Sequence, residues 1–339
     1  MVVNASLIFA DVPTGAPVPG KHLKRVEEEL DVAGVDLQGG ILVRLTAASY
    51  DPYMKGRMRG PERKSYNQPF TLGAPLDTLA VGVVERSDVA SIPKGAIFKG
   101  LLPFSEYAVI SKARLDMKLG KVIENPEGLA WTTLVGAAGM PGATAWVGLY
   151  DIGKIQKGDT LFITAASGAV GQIAGQLAKR DGLTVIGSAG SDDKVAFLKE
   201  IGFDVAFNYK TTSTQEVLEQ HPPTVVFENV GGETLDTILD TIQPKGRIIA
   251  CGAVSQYNVP FEQRYGVKNT SNVVTKRLRY EGFIVSNHDQ TEFDATMPKL
   301  IANGEIKIKE HVSKGIDNGE AFLDMLEGRN FGKAVVSFE

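Results

Sequence analysis

The run Leu161-Phe162-Ile163-Thr164-Ala165-Ala166-Ser167-Gly168-Ala169-Val170-Gly171 combines an apolar strand, a tight turn of small residues and the start of a helix. Such a turn lets the backbone approach a pyrophosphate closely. The helix N-terminus adds free N–H groups and the positive end of its dipole. Gly171 and Gly175 are spaced to bring that helix close to the sheet beneath it. A tight strand-to-helix turn also occurs with no nucleotide at all. Its place at the first strand of an alternating α/β pattern is what points to dinucleotide binding.

The second strand bears on which dinucleotide. A site selective for NAD usually ends this strand with an Asp or Glu that takes both ribose hydroxyls. Here the strand runs Val185-Ile186-Gly187-Ser188, with no acid at its tip. Asp192 and Asp193 come later, at a helix start where acids are ordinary. Lys194 follows them and can pair with a 2′-phosphate, although a lone lysine is more often a solvated helix residue. The missing acid favours NADPH.

Metal chemistry is poorly provided for. Structural zinc needs about four thiolate or imidazole ligands and catalytic zinc about three. The chain has one cysteine, Cys251, and four histidines, His22, His221, His288 and His311, scattered with no paired spacing. Each histidine reads as an exposed loop or surface residue, and no metal is expected. A single cysteine also precludes an intrachain disulfide and suits a reducing compartment. The N-terminus lacks the pattern of a signal peptide, and no run is apolar enough to span a bilayer, so a cytoplasmic protein is expected. Lys plus Arg is 36 against 40 for Asp plus Glu, a net charge of −4 that gives no reason to expect nucleic acid or an anionic membrane as partner.

The elements that must hold these residues separate by pattern. The first third carries short β-branched runs, such as 41–45 and 80–84, divided by Gly and Pro, as in an all-β unit. From Thr160 apolar strands alternate with helices, the pattern of a parallel sheet. Strands are predicted at Thr160–Ala165, Thr184–Gly187, Val205–Asn208, Thr224–Glu228, Arg247–Cys251 and Tyr280–Val285. The first helix would bury one face, through Val170, Ile173, Ala174, Leu177 and Ala178. The tail Ala334–Phe338 reads as a strand returning to the β unit.

Several further stretches complete a pattern: Asp51-Pro52-Tyr53-Met54, Met140-Pro141-Gly142-Ala143-Thr144-Ala145, Gly187-Ser188-Ala189-Gly190-Ser191, Phe207-Asn208-Tyr209-Lys210, Phe227-Glu228-Asn229-Val230-Gly231-Gly232, the run from Cys251 to Asn258, and Asn330-Phe331-Gly332-Lys333. Together they span nearly the whole chain. In this order the sequence resembles the zinc-independent medium-chain dehydrogenases/reductases, in the branch of prostaglandin and alkenal (double-bond) reductases. The resemblance implies an α/β fold, with a doubly wound Rossmann domain at 126–304 binding NADPH. It also implies a β-rich, GroES-like domain at 1–125, completed by about 305–339. Gly168, Ala169, Val170 and Gly171 would line the pyrophosphate, while Lys194 and the Tyr209 hydroxyl would hold the 2′-phosphate. Asn229 would meet a ribose. Cys251, Gly252, Ala253, Val254, Ser255, Gln256 and Tyr257 would run along the nicotinamide half, which Phe283, Ile284, Val285 and Asn330 would close. Tyr257 and Tyr53 would be the catalytic candidates; a loop aromatic under the cofactor and a domain-interface aromatic are the plainer roles for them.

The implied reaction is reduction of the carbon–carbon double bond of an α,β-unsaturated aldehyde or ketone, by a protein that is by default a homodimer. A quinone or carbonyl reductase on the same scaffold remains open, as does an NADPH-binding protein with little turnover. The chain departs from the pattern at three places. The run 76–83 lacks an expected glycine-rich turn, Phe104 replaces a usual tryptophan, and Trp146 replaces a tyrosine. All three are expected near the substrate.

Overall fold

The computed structural model describes residues 1–339. They form two units: Met1–Gly136 with Glu310–Asn330 and Ala334–Glu339, and Ala137–Lys309 with Phe331–Lys333. No helix is long and apolar enough to cross a membrane.

In the first unit, Ile41–Ser49 pairs antiparallel with Asp77–Ser87, and that strand with Ile97–Pro103, which in turn carries Gly120–Ile123. Lys333–Ser337 pairs along the other edge of Ile41–Ser49, as does Tyr107–Ile110. Glu310–Lys314 follows Lys333–Ser337 in the sheet order. Ile41–Ser49 is buried along nearly its whole length because both of its faces are covered. Val43 and Leu45 enter the main core, while Ala47 joins Val81, Val335, Leu134 and Val135 in a smaller cluster. Phe104 is fully buried, with its ring centroid 5.1 Å from that of Tyr50 and 6.3 Å from that of Phe338. This departure from the family pattern is therefore a core substitution.

One charged cluster sits inside this unit. Arg57, with a side chain only 7% exposed, donates to Gln68 O at 3.0 Å and to Asp77 Oδ2 at 3.2 Å. Its guanidinium lies 4.2 Å from the centre of the Phe70 ring. Arg114 reaches the other Asp77 oxygen and donates to Leu101 O at 3.0 Å.

The second unit is a six-stranded parallel sheet in the order Val205–Asn208, Thr184–Ala189, Thr160–Ile163, Val225–Glu228, Arg247–Ala250, Arg279–Gly282. The order reverses between Thr160–Ile163 and Val225–Glu228, so loops at their C-terminal ends diverge and leave room for a ligand. The last strand stops at Gly282, short of the expected Val285. Its neighbour ends at Ala250, where Cys251 and Gly252 turn to hydrogen-bond Glu228 O instead. Beyond Gly282 no partner remains.

The helix Gly171–Arg180 is buried on more than the expected face. Gln172 and Gln176 are also buried, because their carboxamides pair with the backbone of a neighbouring segment. Gln176 accepts from Lys307 N–H and donates to Lys307 O, both at 2.8 Å. Gln172 does the same with Lys309, at 2.7 and 3.1 Å. Two amides thus act as a strand edge and satisfy buried peptide groups. Glycine supplies the close contact on the other side. A Cβ on Gly175 would fall 2.1 Å from the Phe203 ring, and one on Gly187 would fall 2.6 Å from it. Phe203 therefore fills the space that these two residues leave between helix and strand.

Candidate cofactor and substrate site

The turn after Thr160–Ile163 is tied down at both ends. Ala166 N–H donates to Ser188 O at 2.9 Å, and Gly168 N–H donates to Ala165 O at 3.0 Å. Ala165 has φ +49°, a left-handed conformation that costs an L-residue about 1–2 kcal/mol. The chain accepts that strain at the point where it must reverse tightly ahead of the helix N-terminus. Gly168, Ala169 and Val170 are half-buried there, and Gly171 is buried.

At the end of Thr184–Ala189 no acid is available. Asp192 accepts from Asn208 Nδ2 at 2.8 Å, and Asp193 is engaged by the Ser191 hydroxyl. Positive charge gathers instead. A Cβ on Gly190 would lie 3.3 Å from the Tyr209 hydroxyl and 3.6 Å from Lys210 Cε. Burial lowers the Lys194 ammonium below its ordinary value; Asp193 opposes this shift and Lys210 adds to it. Two lysines and a phenol therefore meet at one strand end. Sequence alone gives Lys210 no role beyond following Tyr209; the fold brings its side chain beside Gly190.

Asn229 follows Val225–Glu228. Its N–H donates to Thr164 Oγ1 at 2.7 Å and its Nδ2 to Thr164 O at 2.8 Å, which fixes the carboxamide and leaves Oδ1 as an acceptor. Glu228 braces the same loop from within. Its Oε1 accepts from Val230 N–H at 2.8 Å and from Gly231 N–H at 2.9 Å. Gly231 holds φ +70°, and a Cβ there would strike Ala253 Cβ at 2.7 Å. Burial raises the Glu228 carboxyl above its ordinary value, against the hydrogen bonds that favour its anion. A raised folded-state value means that stability is fullest below the unfolded carboxyl range and falls as pH rises through the folded value. Glu228→Gln keeps an acceptor for both N–H groups and cannot ionise. Its stability relative to the parent should therefore rise from mildly acidic to neutral pH. Urea melts across that range check this, and a difference independent of pH would show that Glu228 never pays for its charge.

Beyond these loops lies a cavity of about 650 Å³, lined by Cys251, Gly252, Ala253, Tyr257, Phe283, Ile284, Asn287 and His288 among others. Tyr257 ends the short helix Val254–Tyr257, and its hydroxyl accepts the Ala253 N–H at 3.1 Å. Burial pushes the Cys251 thiol up to about 12, with Glu228 adding to the shift, so it serves as a neutral wall. Val254, Ser255 and Gln256 stand beside the cavity. Ser255 Oγ donates to Val230 O at 2.7 Å, while Gln256 Oε1 accepts from Tyr265 N–H. Val285 starts the turn Val285–Asn287.

These loops extend from the C-terminal ends of parallel strands around the point where strand order reverses. Two family models match the chain: "N-terminal domain of oxidoreductase" over residues 6–118 and "Zinc-binding dehydrogenase" over 169–303. An NADP-dependent oxidoreductase of Cochliobolus heterostrophus is 42% identical, covering 99% of this chain and 98% of its own. The 2-alkenal reductase (NADP(+)-dependent) of Nicotiana tabacum is 37% identical, covering 99% and 97%. The structure of CurA from Vibrio vulnificus in complex with NADPH superposes with a TM-score of 0.86 at 32% identity, over 99% of both chains. The chain belongs to the zinc-independent medium-chain dehydrogenase/reductase family.

NADPH is the cofactor of this medium-chain reductase. The residues fit it: an acid-free strand end with Lys194, Tyr209 and Lys210 suits the 2′-phosphate, and the small-residue turn suits the pyrophosphate. No three His, Cys, Asp or Glu side chains converge as a metal would require.

Two sequence-named residues lie in the first unit. Tyr53 opens the helix Tyr53–Arg57 and packs against the core there, where burial raises its hydroxyl well above the ordinary value. Asn330 ends the segment Glu310–Asn330. The next residue, Phe331, packs edge-on against Phe197 at 5.4 Å. Two histidines differ from the surface reading. His22 is 6% exposed, its Nδ1 accepting Val18 N–H at 2.7 Å, and His288 pairs with Asp151 on the cavity wall.

Proposed function

We propose that this reductase uses NADPH to reduce the carbon–carbon double bond of α,β-unsaturated aldehydes and ketones. One observation carries the reading: the cavity wall offers a fixed Tyr257 hydroxyl, with no convergent set of metal ligands. A metal would polarise an isolated carbonyl strongly, whereas a neutral hydroxyl does so weakly. Conjugation removes that difficulty, because charge arriving at the β-carbon spreads onto oxygen. The relative from Nicotiana tabacum, named a 2-alkenal reductase, supports the same substrate class.

NADPH supplies the hydride when bound. The small-residue turn and Asn229 hold pyrophosphate and ribose, while the loop from Cys251 to Gln256 and the segment from Phe283 to Val285 keep water from the reacting face. Tyr257 donates a hydrogen bond to the carbonyl oxygen as negative charge develops on it. Tyr53 is a second candidate for contact with substrate. Chromatography of the product from a simple enone tests the reading. The saturated carbonyl compound is expected, and an allylic alcohol as main product would sink it. Parallel assays with a quinone and a saturated aldehyde test the other reductase chemistries.

Cofactor choice gives a separate test. Lys194→Ala should weaken NADPH binding by about 1.5–3 kcal/mol, the range for a charge-assisted hydrogen bond. Lys210→Ala should act in the same direction. Binding of NADH, which lacks the phosphate, should change little in either variant. Fluorescence titration with both cofactors measures this, and equal losses for both would mean that the lysines act on structure instead.

A further inference from the structure

The reaction proposed above needs two groups on the substrate side. One stabilises the oxygen, and another delivers a proton to the α-carbon, a different atom. The Tyr257 hydroxyl accepts Ala253 N–H at 3.1 Å and is assigned above to the oxygen. The same cavity contains one histidine, His288. Its Nδ1 lies 3.0 Å from Asp151 Oδ2, and its ring stands edge-on to Phe283, with centroids 6.1 Å apart. A carboxylate on Nδ1–H fixes the orientation of the ring and leaves Nε2 uncommitted.

Asp151 sits in an uncommon element. Gly148–Gly153 is a π-helical turn following the helix Met140–Val147, and it closes on Lys154 in a left-handed conformation at φ +45°. Such turns are rare and concentrate at functional sites. Close packing surrounds it: a Cβ on Gly148 would strike the Phe227 ring at 2.5 Å and meet Phe283 at 3.3 Å. The turn therefore holds Asp151 on a rigid base, 137 residues from its histidine in sequence.

We infer that His288, oriented by Asp151, is the general acid that protonates the substrate's α-carbon. The inference rests on the double-bond reading. Hydride from NADPH forms the new C–H bond at the β-carbon, and the π pair moves to give an enolate. The enolate then takes the Nε2 proton at its α-carbon, and the carbonyl re-forms. His288 is left neutral and recovers a proton from water. That recovery is open to it, since the His288 and Asp151 side chains are 25% and 47% exposed.

The test uses an enal with an α-methyl group, so that protonation creates a stereocentre read by chiral chromatography. The parent enzyme should give one enantiomer in excess. His288→Gln should lower kcat by about 100-fold, the lower range for loss of a general acid. It should also erode the excess, because water protonates either face, and leave the Kd for NADPH unchanged, which also shows that the variant is folded. Asp151→Asn, a change to the positioning residue, should lower kcat less and erode the excess in part. Added imidazole should restore rate to a His288→Gly variant. An unchanged rate and unchanged enantiomeric excess in His288→Gln overturn the inference. A parent enzyme that forms no saturated aldehyde overturns the double-bond reading, and this inference falls with it.

Discussion

Replacing Tyr257 with Phe should lower kcat by up to about 100-fold, the cost of removing one hydrogen-bond donor from a developing oxyanion. The Kd for NADPH should barely move. Phenylalanine preserves the ring that packs at the end of Val254–Tyr257, so the cavity wall keeps its shape. What is lost is the hydroxyl, which lies against Gly252 and accepts Ala253 N–H. Steady-state kinetics with an enone, alongside cofactor titration, separates the two effects. Equal losses in kcat and NADPH affinity would mean that the hydroxyl organises the cofactor loop. An unchanged kcat would remove Tyr257 from the chemistry.

The largest effect on stability is expected far from that cavity in sequence. Asp77→Ala should destabilise the β unit by about 3 kcal/mol, the lower end for breaking a buried ion pair. Two guanidinium groups depend on this carboxylate, and the Arg57 side chain is only 7% exposed. Without Asp77, Arg57 keeps Gln68 O and the Phe70 ring, and Arg114 keeps Leu101 O. Neither arginine retains a counter-charge in this cluster. Part of the network is open, since the Asp77 side chain is 27% exposed, which holds the estimate at the lower end. Denaturant unfolding followed by circular dichroism measures the loss. A change within experimental error would show that water replaces the carboxylate freely.

The parallel strands were legible because each is an apolar run between turn residues, and every one formed within a few positions of its expected place. Tyr280–Val285 ran long because an apolar stretch does not reveal where its neighbour turns away. Gln172 and Gln176 were not legible as buried residues, since their partners Lys307 and Lys309 lie more than a hundred positions away. The left-handed Ala165 gave no signal either, because alanine does not advertise that conformation as glycine does. The missing acid after Thr184–Ala189, by contrast, is a local fact, and local facts survive in sequence. The pairing of His288 with Asp151 is not local. Only the fold brings a π-helical turn and the segment after Gly282 together.

The sheet of the first unit also constrains how the protein is made. Ile41–Ser49 leaves the ribosome long before one of its partners, Lys333–Ser337. Contacts so distant in sequence form slowly, because a long loop must close before they contribute. Residues 137–309, by contrast, form one continuous stretch of the second unit. The nucleotide-binding unit can therefore complete its sheet on the nascent chain, while the β unit that precedes it waits with an open edge. Order of synthesis and order of completion are reversed, and the Ala47–Ser49 end of Ile41–Ser49 is the strand edge left open during that wait.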